Sequence, residues 1–348
     1  MAARSNASGE LYFIGEKDPA TQNDTGYVKI GIVRENDDRD TDKRVKEHQT
    51  GNPRMLHVIE TIRTPIVERV ETAMHGAFAP HRVSGEWFIL DQPQKDTAIA
   101  AARAFADEAA ADLETMSVAE ALKKTASGPE KLTPTDEHIA LHATLVALKA
   151  QVKACNTIAA DLVRVLEALH AGGIDCGRVL TYQPSKPRES FDEKSFKDSH
   201  TALWEQFQVT KPTFSGPFLP KDPKSSRPDP LVLNPQIADL AATVSGLTGE
   251  SGPATNDVNE VHQLYLTLLA LQAPLEWKLT LVEDRARAAV GTASEIDGLF
   301  VWKRELTNKT SLDKTALKND HPDVYAQFAS SVAVRPSVIV ARDRGYFL

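Results

Sequence analysis

The chain has little cysteine, no long apolar run and no surplus of positive charge, and each shortage closes off a class of protein. Its 348 residues include two cysteines, Cys155 and Cys176. That count excludes a zinc site built on cysteine and points to a reduced, cytoplasmic setting. No apolar stretch approaches the ~20 residues of a membrane helix, so no membrane partner is expected. The opening segment MAARSNASGE lacks the hydrophobic centre of a signal peptide. The formal net charge is -8, with 48 Asp and Glu against 40 Lys and Arg. Such a balance argues against a protein that coats nucleic acid nonspecifically, and leaves room for a nuclease whose basic groups are local.

What is there begins with an α/β pattern over residues 10–92. Strands are expected near Leu11–Gly15, Val28–Val33 and Met55–Ile62, and helices near Thr41–Gln49 and Pro65–Phe78. In GYVKIGIV (Gly26–Val33), period-2 alternation puts Val28, Ile30 and Ile32 on one face and Tyr27, Lys29 and Gly31 on the other. Thr64 and Pro65 suit the cap and first turn of the second helix, and the carboxylates of DDRDTD suit the positive end of the first. An Ala-rich helical connector fills residues 93–130. Residues 131–211 and 258–348 each open on a long helical pattern. Between them, 212–257 read as a Pro-rich linker, mostly extended over the Pro-, Ser- and Lys-rich stretch that ends at Pro235.

The two helical stretches resemble each other. At an offset of 121 residues, Phe191–Phe207 falls on Leu312–Phe328, with Asp192, Lys197, His200, Gln206 and Phe207 matching Asp313, Lys318, His321, Gln327 and Phe328. Trp204 meets Tyr325, and Leu145 and Leu148 meet Leu266 and Leu269. A duplicated module is expected, its apolar helix stripes covering each other.

Polar groups of the first domain could converge. Tyr12 and Lys29 fall on neighbouring strands. Arg44 and His48, four apart, share a helix face, as do Glu71 and His75. Phosphodiester hydrolysis needs such a set: a base for water, cations for the charged transition state and a carboxylate for a divalent metal. Taken singly, each has an ordinary reading as a strand-edge aromatic, a solvated lysine, a surface ion pair or a surface histidine. His57 keeps that reading, and Glu86-Trp87 reads as an anchor closing the sheet. The combination in order is what points to one site.

ELYFIG, GYVKIGIV, KRVKEHQTGNP, VERVETAMH and GEWFIL resemble, in order, the GIY-YIG endonucleases of the phage-type subfamily whose second signature reads KIG. The resemblance covers about residues 10–90. It implies an α+β protein, with a small nuclease domain over residues 1–92 built on a three-stranded antiparallel sheet with flanking helices, followed by mostly α-helical modules. It also implies catalytic roles for Tyr12, Lys29, Arg44, His48 and Glu71. Tyr12 would activate water, Arg44 would neutralise the scissile phosphate, His48 would bond to it or to the Tyr12 hydroxyl, and Glu71 would bind Mg²⁺ or Mn²⁺. Lys29 takes the slot of the second tyrosine. There it would contact phosphate or water as a cation, and would act as a base only if burial or neighbouring cations disfavoured its charge. Tyr27, Gly31 and His75 are expected near substrate.

The last stretch resembles the C-terminal tail of YqaJ-type phage recombination exonucleases, without their catalytic core. That likeness implies an accessory module in which Trp302, Lys303 and Lys309 contact nucleic acid. The expected function is a metal-dependent DNA endonuclease in phage or mobile-element biology, defence or repair. The alternative is an inactive nucleic-acid-binding or scaffold protein on the same fold. DNA is the expected partner, with a homodimer or protein partner through the helical modules. Residues 1–92 carry 12 Lys and Arg against 15 Asp and Glu, so something outside this domain must bring it to substrate.

Overall fold

The computed structural model describes residues 7–37, 40–221, 234–249 and 252–345. Its first part is an antiparallel sheet in the order β3-β1-β2-β5-β4. Strand β1 (Gly9–Lys17) lies between β2 (Asp24–Arg34) and β3 (Met55–Thr64), with helix α1 (Thr41–Gln49) between β2 and β3 in the chain. Helix α2 (Val67–Ala77) follows, then a 3-10 turn (Ala79–His81) and the short strands β4 (Arg82–Ser84) and β5 (Trp87–Ile89).

Alternation along β1 sends Leu11 and Phe13 to a core shared with Val28, Ile30, Val70 and Met74. It sends Tyr12 and Ile14 to the other side, against Val33, Val45 and Leu56. Helices α1 and α2 therefore flank opposite faces. The expected three strands are five, because the segment read as a closing anchor turns back at Gly85, φ +55°, and adds a hairpin beyond β2. Val83 and Phe88 are fully buried, which fixes that hairpin to the core.

Helix α1 starts as expected, with the Asp40 side chain accepting from the Lys43 backbone N–H; Asp38 and Arg39 lie outside the described residues. Helix α2 starts two residues later than expected, after Ile66 and with no side-chain cap. Thr64 instead ends β3 as a buried residue, its Oγ1 accepting from the Ile66 backbone N–H at 3.5 Å. Helix α3 (Gln92–Ala111) has a capping box at Asp91 and Gln94, and lays Ala98, Ala102, Ala106 and Ala109 on the core. Small side chains permit that close approach.

The second part is built on two long helices packed along each other, α5 (Asp136–Ala171) and α9 (Val258–Val290). Helix α4 (Leu113–Leu122) packs on α9. The short helices α6 (Glu193–Ser199) and α7 (Thr201–Gln206) follow α5. Within the expected linker, residues 235–247 form helix α8 (Pro235–Leu247). Asn234 caps it, and buried Ile237, Leu240 and Val244 pack it into the core of α5 and α9. The three apolar residues are spaced for one helix face, a pattern masked by the breakers before it; residues 222–233 lie outside the described set. Helices α10 (Lys314–Asp320) and α11 (Pro322–Phe328) come near the end.

Strands of the two halves pair across. Leu180–Gln183 pairs with Ser337–Val340, Arg188–Phe191 with Ala329–Val332, and Gln208–Ser215 with Glu305–Leu312. Phe191 lies opposite Ala329 and Gln208 opposite Leu312. Adding 121 to 191 and to 208 gives 312 and 329, so the offset of the sequence match exchanges one ladder for the other.

The two parts share a core. Trp277 and Leu281 of α9 belong to the same buried cluster as Leu11, Phe13 and Val28. Among the described residues, no helix is long and apolar enough to cross a membrane.

Candidate active site

Strand β5 covers β2 only along Tyr27–Lys29. From Gly31 onward that edge of β2 is open, and a cleft of about 610 Å³ forms there, lined by Tyr12, Ile32, Arg34, Asn36, Asp37, Arg44, Glu71 and Glu86. Groups from both faces of the sheet meet over this edge. The helix faces carrying Arg44 and Glu71 are thus on opposite sides of the sheet, yet both side chains reach one cleft.

Tyr12 enters from the α1 side. It stands opposite Gly31 in the β1–β2 register, and its ring crosses the space where a side chain would be: a Cβ on Gly31 would lie 2.5 Å from the Tyr12 hydroxyl oxygen. This is why KIG ends in glycine. The hydroxyl is 3.5 Å from Nε2 of His48. Burial raises the Tyr12 pKa, against the lowering influence of the Arg44 guanidinium, which also hydrogen-bonds to it. Arg44 is held from the other side by Glu47, Nη1 to Oε2 at 2.8 Å. Burial and the charges of Lys29 and Arg44 lower the His48 pKa. Its ring is therefore neutral at pH 7, with one nitrogen able to accept a proton.

Two carboxylates form the opposite wall. Burial, followed by the charge of Glu86, pushes the Glu71 carboxyl up to about 7. Burial also opposes the charge on Glu86, but the Lys29 ammonium wins and holds its carboxyl below the usual range. Lys29 Nζ sits 2.5 Å from Glu86 Oε2 and 5.9 Å from the centroid of the Trp87 ring. Lys29 is 8% exposed, is absent from the cleft wall, and serves as the counter-ion of Glu86.

The remaining sequence candidates part company. Tyr27 pairs with Ile89 further along β2, outside the cleft lining. His75 turns to the sheet, with Nε2 bonded to the Ile30 carbonyl at 2.9 Å and its ring 5.5 Å from that of Phe88. Burial pushes its pKa down to about 4, so it is a neutral structural donor. Trp302 is buried in the helical part, with the Arg304 guanidinium 4.0 Å from its ring centroid. A ring buried there cannot stack on a base. Lys303 is exposed on the same part, apart from the cleft.

Sequence reasoning missed Glu86 as a wall of the cleft, along with Arg34, Asn36 and Asp37. Arg34 is paired with Glu68 at 2.5 Å. The signal for Glu86 was present in GEWF beside an otherwise unexplained strand lysine. For the other three, nothing in the spacing marked the end of β2 as an open edge.

The close fit of Tyr12 on Gly31 gives a test. Gly31→Ala should displace the phenol and cost about 1–3 kcal/mol of stability. A melting curve and a Tyr12 environment unchanged by near-UV circular dichroism would refute the contact.

The small antiparallel sheet thus brings a phenol, two arginines and two glutamates to one polar edge cleft. Residues 9–106 match the T5orf172 domain, a phage-associated domain found in some endonuclease-like proteins. No curated protein and no solved structure matches the chain.

Proposed function

We propose that the first domain is a metal-dependent DNA endonuclease of the GIY-YIG type, with its active site in the cleft at the open edge of β2. The observation that carries this reading is the meeting of Tyr12, Arg44, Glu71 and Glu86 in that one cleft, within the segment that matches T5orf172.

Arg44 and Arg34 supply positive charge for a phosphate in the cleft. Tyr12 keeps its proton at neutral pH, as a phenol ordinarily does, and burial raises its pKa further. Neutral His48 lies behind the cleft lining, 3.5 Å from the Tyr12 hydroxyl, and is the group prepared to take a proton through that hydroxyl. Lys29 holds Glu86 ionised and oriented.

Glu71 and Glu86 are the residues that would hold a divalent ion. The donor set fits Mg²⁺ or Mn²⁺, which bind through one or two carboxylates and fill the rest of their shell with water and phosphate. Among the described residues, no group of three or more His, Cys, Asp or Glu is placed to cage a metal alone. Burial first, and then the charge of Glu86, raise the Glu71 pKa, so a cation brought to the two carboxylates would favour the ionised form of Glu71. When bound, the ion polarises a phosphate oxygen and acidifies water.

The helical part we read as a duplicated module whose two copies exchange strands within one chain, making an accessory body for substrate or partner. The decisive measurement is nicking of supercoiled plasmid with Mg²⁺. Tyr12→Phe should reduce the rate by about 10²-fold or more at unchanged fold. DNA binding without any Mg²⁺- or Mn²⁺-dependent nicking by the wild-type chain would overturn the enzymatic reading and favour the non-catalytic one.

A further inference from the structure

The strands Gln208–Ser215 and Glu305–Leu312 form a two-stranded ribbon of eight opposed pairs that joins no larger sheet. At about 3.4 Å per residue it is about 27 Å long. It is exposed along Glu305–Ser311, and Thr210, Lys211, Pro212 and Thr213 are exposed on the other strand. Among its described residues only Leu312, at the base, is buried, in the aromatic cluster of α6, α10 and α11.

Lys211 lies directly opposite Lys309. Directly opposed residues share a ribbon face with Cβ atoms about 5 Å apart, and like charges so placed are destabilising. Neither ammonium has an ion pair or hydrogen-bond partner among the described residues. Alternation puts Thr213, Thr307 and Ser311 on the same face, offering hydroxyls beside the two cations. An exposed lysine pair that repels itself is unfavourable for the fold alone and becomes favourable when an anion bridges it.

We propose that this ribbon is a duplex-DNA-binding element that lies in the major groove and sets its lysines on phosphates. The groove of B-DNA is about 12 Å wide and admits a two-stranded ribbon. The inference rests on the reading of the first domain as a DNA nuclease, and supplies what that domain lacks. Residues 1–92 carry more acidic than basic side chains, 15 against 12, so they need an anchor elsewhere on the chain. The shared core that joins α9 to the sheet holds ribbon and cleft on one framework.

The test is fluorescence anisotropy of the full chain with a labelled 30-base-pair duplex of mixed sequence, in EDTA, over a range of salt. Lys211→Gln/Lys309→Gln should weaken binding at least about tenfold near 0.1 M salt and make the salt slope shallower by about two, one for each lost phosphate contact. Lys309→Glu alone separates binding from folding. It turns the repelling pair into an attracting one, so the melting temperature should hold or rise while affinity falls. Affinity and slope equal to wild type in both variants would overturn the proposal. So would tighter binding of single-stranded DNA or duplex RNA than of duplex DNA, or no duplex binding by wild type. Ribbon-dependent binding without Mg²⁺-dependent nicking would leave the ribbon standing and remove the nuclease reading instead.

Discussion

Glu71→Gln should abolish Mg²⁺-dependent cleavage, by about 10³-fold or more, and at the same time make the protein more stable at alkaline pH. The first half follows from chemistry, because an amide of the same shape cannot supply a charged oxygen to a divalent ion. The second follows from the raised ionisation of the side chain. Glu71 titrates at about 7 in the folded chain against 4.5 when unperturbed. Below about 4.5 both folded and unfolded states hold the proton, and the site carries no penalty. As pH climbs from there to about 7, the unfolded chain releases the proton while the folded chain keeps it, so stability falls. Above 7 the loss is complete and constant.

Glutamine does not titrate and escapes the penalty. Because Glu71 is only partly buried, the expected gain of the variant at pH 8 is about 1–2 kcal/mol, shrinking to nothing near pH 4. Added Mg²⁺ should raise the melting temperature of wild type at pH 8 and move that of Glu71→Gln much less, since the variant keeps only the Glu86 carboxylate of the two. Urea melts at pH 4 and pH 8, with and without Mg²⁺, read all of this without reference to activity. A variant less stable than wild type at pH 8 would show that Glu71 is a structural ion-pair partner and no site residue.

The order and kind of elements over residues 9–89 were legible, because strand alternation and helix spacing there are clean. LYFI and VKIGIV (Leu11–Ile14, Val28–Val33) alternate between two buried layers, and Ile66, Val70 and Met74 mark one helix stripe. The partners of polar groups were less legible. Period-2 reasoning places Lys29 on a face but cannot say that Glu86, 57 residues later in the chain, closes on it through a hairpin. The convergence of Arg44 and Glu71 was expected, but the same limit hid how it comes about. Their faces follow from spacing, but their meeting depends on β5 stopping short along β2, which is a matter of register. His75 shows the converse. Its spacing from Glu71 is right for a site, while the carbonyl that takes its nitrogen, that of Ile30, belongs to another element. Helix α8 was hidden by composition, because the breakers at 212–234 swamp three apolar residues at helical spacing.

Trp277→Ala should produce the largest loss of stability of any single substitution named here, and should uncouple the sheet domain from the helical body. Trp277 lies on α9, midway along a helix of the second part, yet its side chain is 5% exposed within the core of the first. Its ring packs 5.0 Å from that of Phe105 on α3, and its indole N–H donates to Glu108 Oε2 at 2.7 Å. Truncation removes the apolar ring, opens a cavity and leaves Glu108 without its donor. The expected cost is about 3–5 kcal/mol. Around the same seam, Gly76 of α2 comes so close to α9 that a Cβ would lie 2.6 Å from that of Ala273. The indole therefore sits where the two parts are already in tight contact, and few neighbours can shift to refill its volume. With the seam weakened, the sheet domain should melt before the helical body, turning one calorimetric transition into two. Trp302→Ala, within the helical core, should instead lower the stability of the body and leave the order of melting reversed. A single transition for Trp277→Ala, shifted by less than about 1 kcal/mol, would mean that α9 carries the cleft without sharing its core.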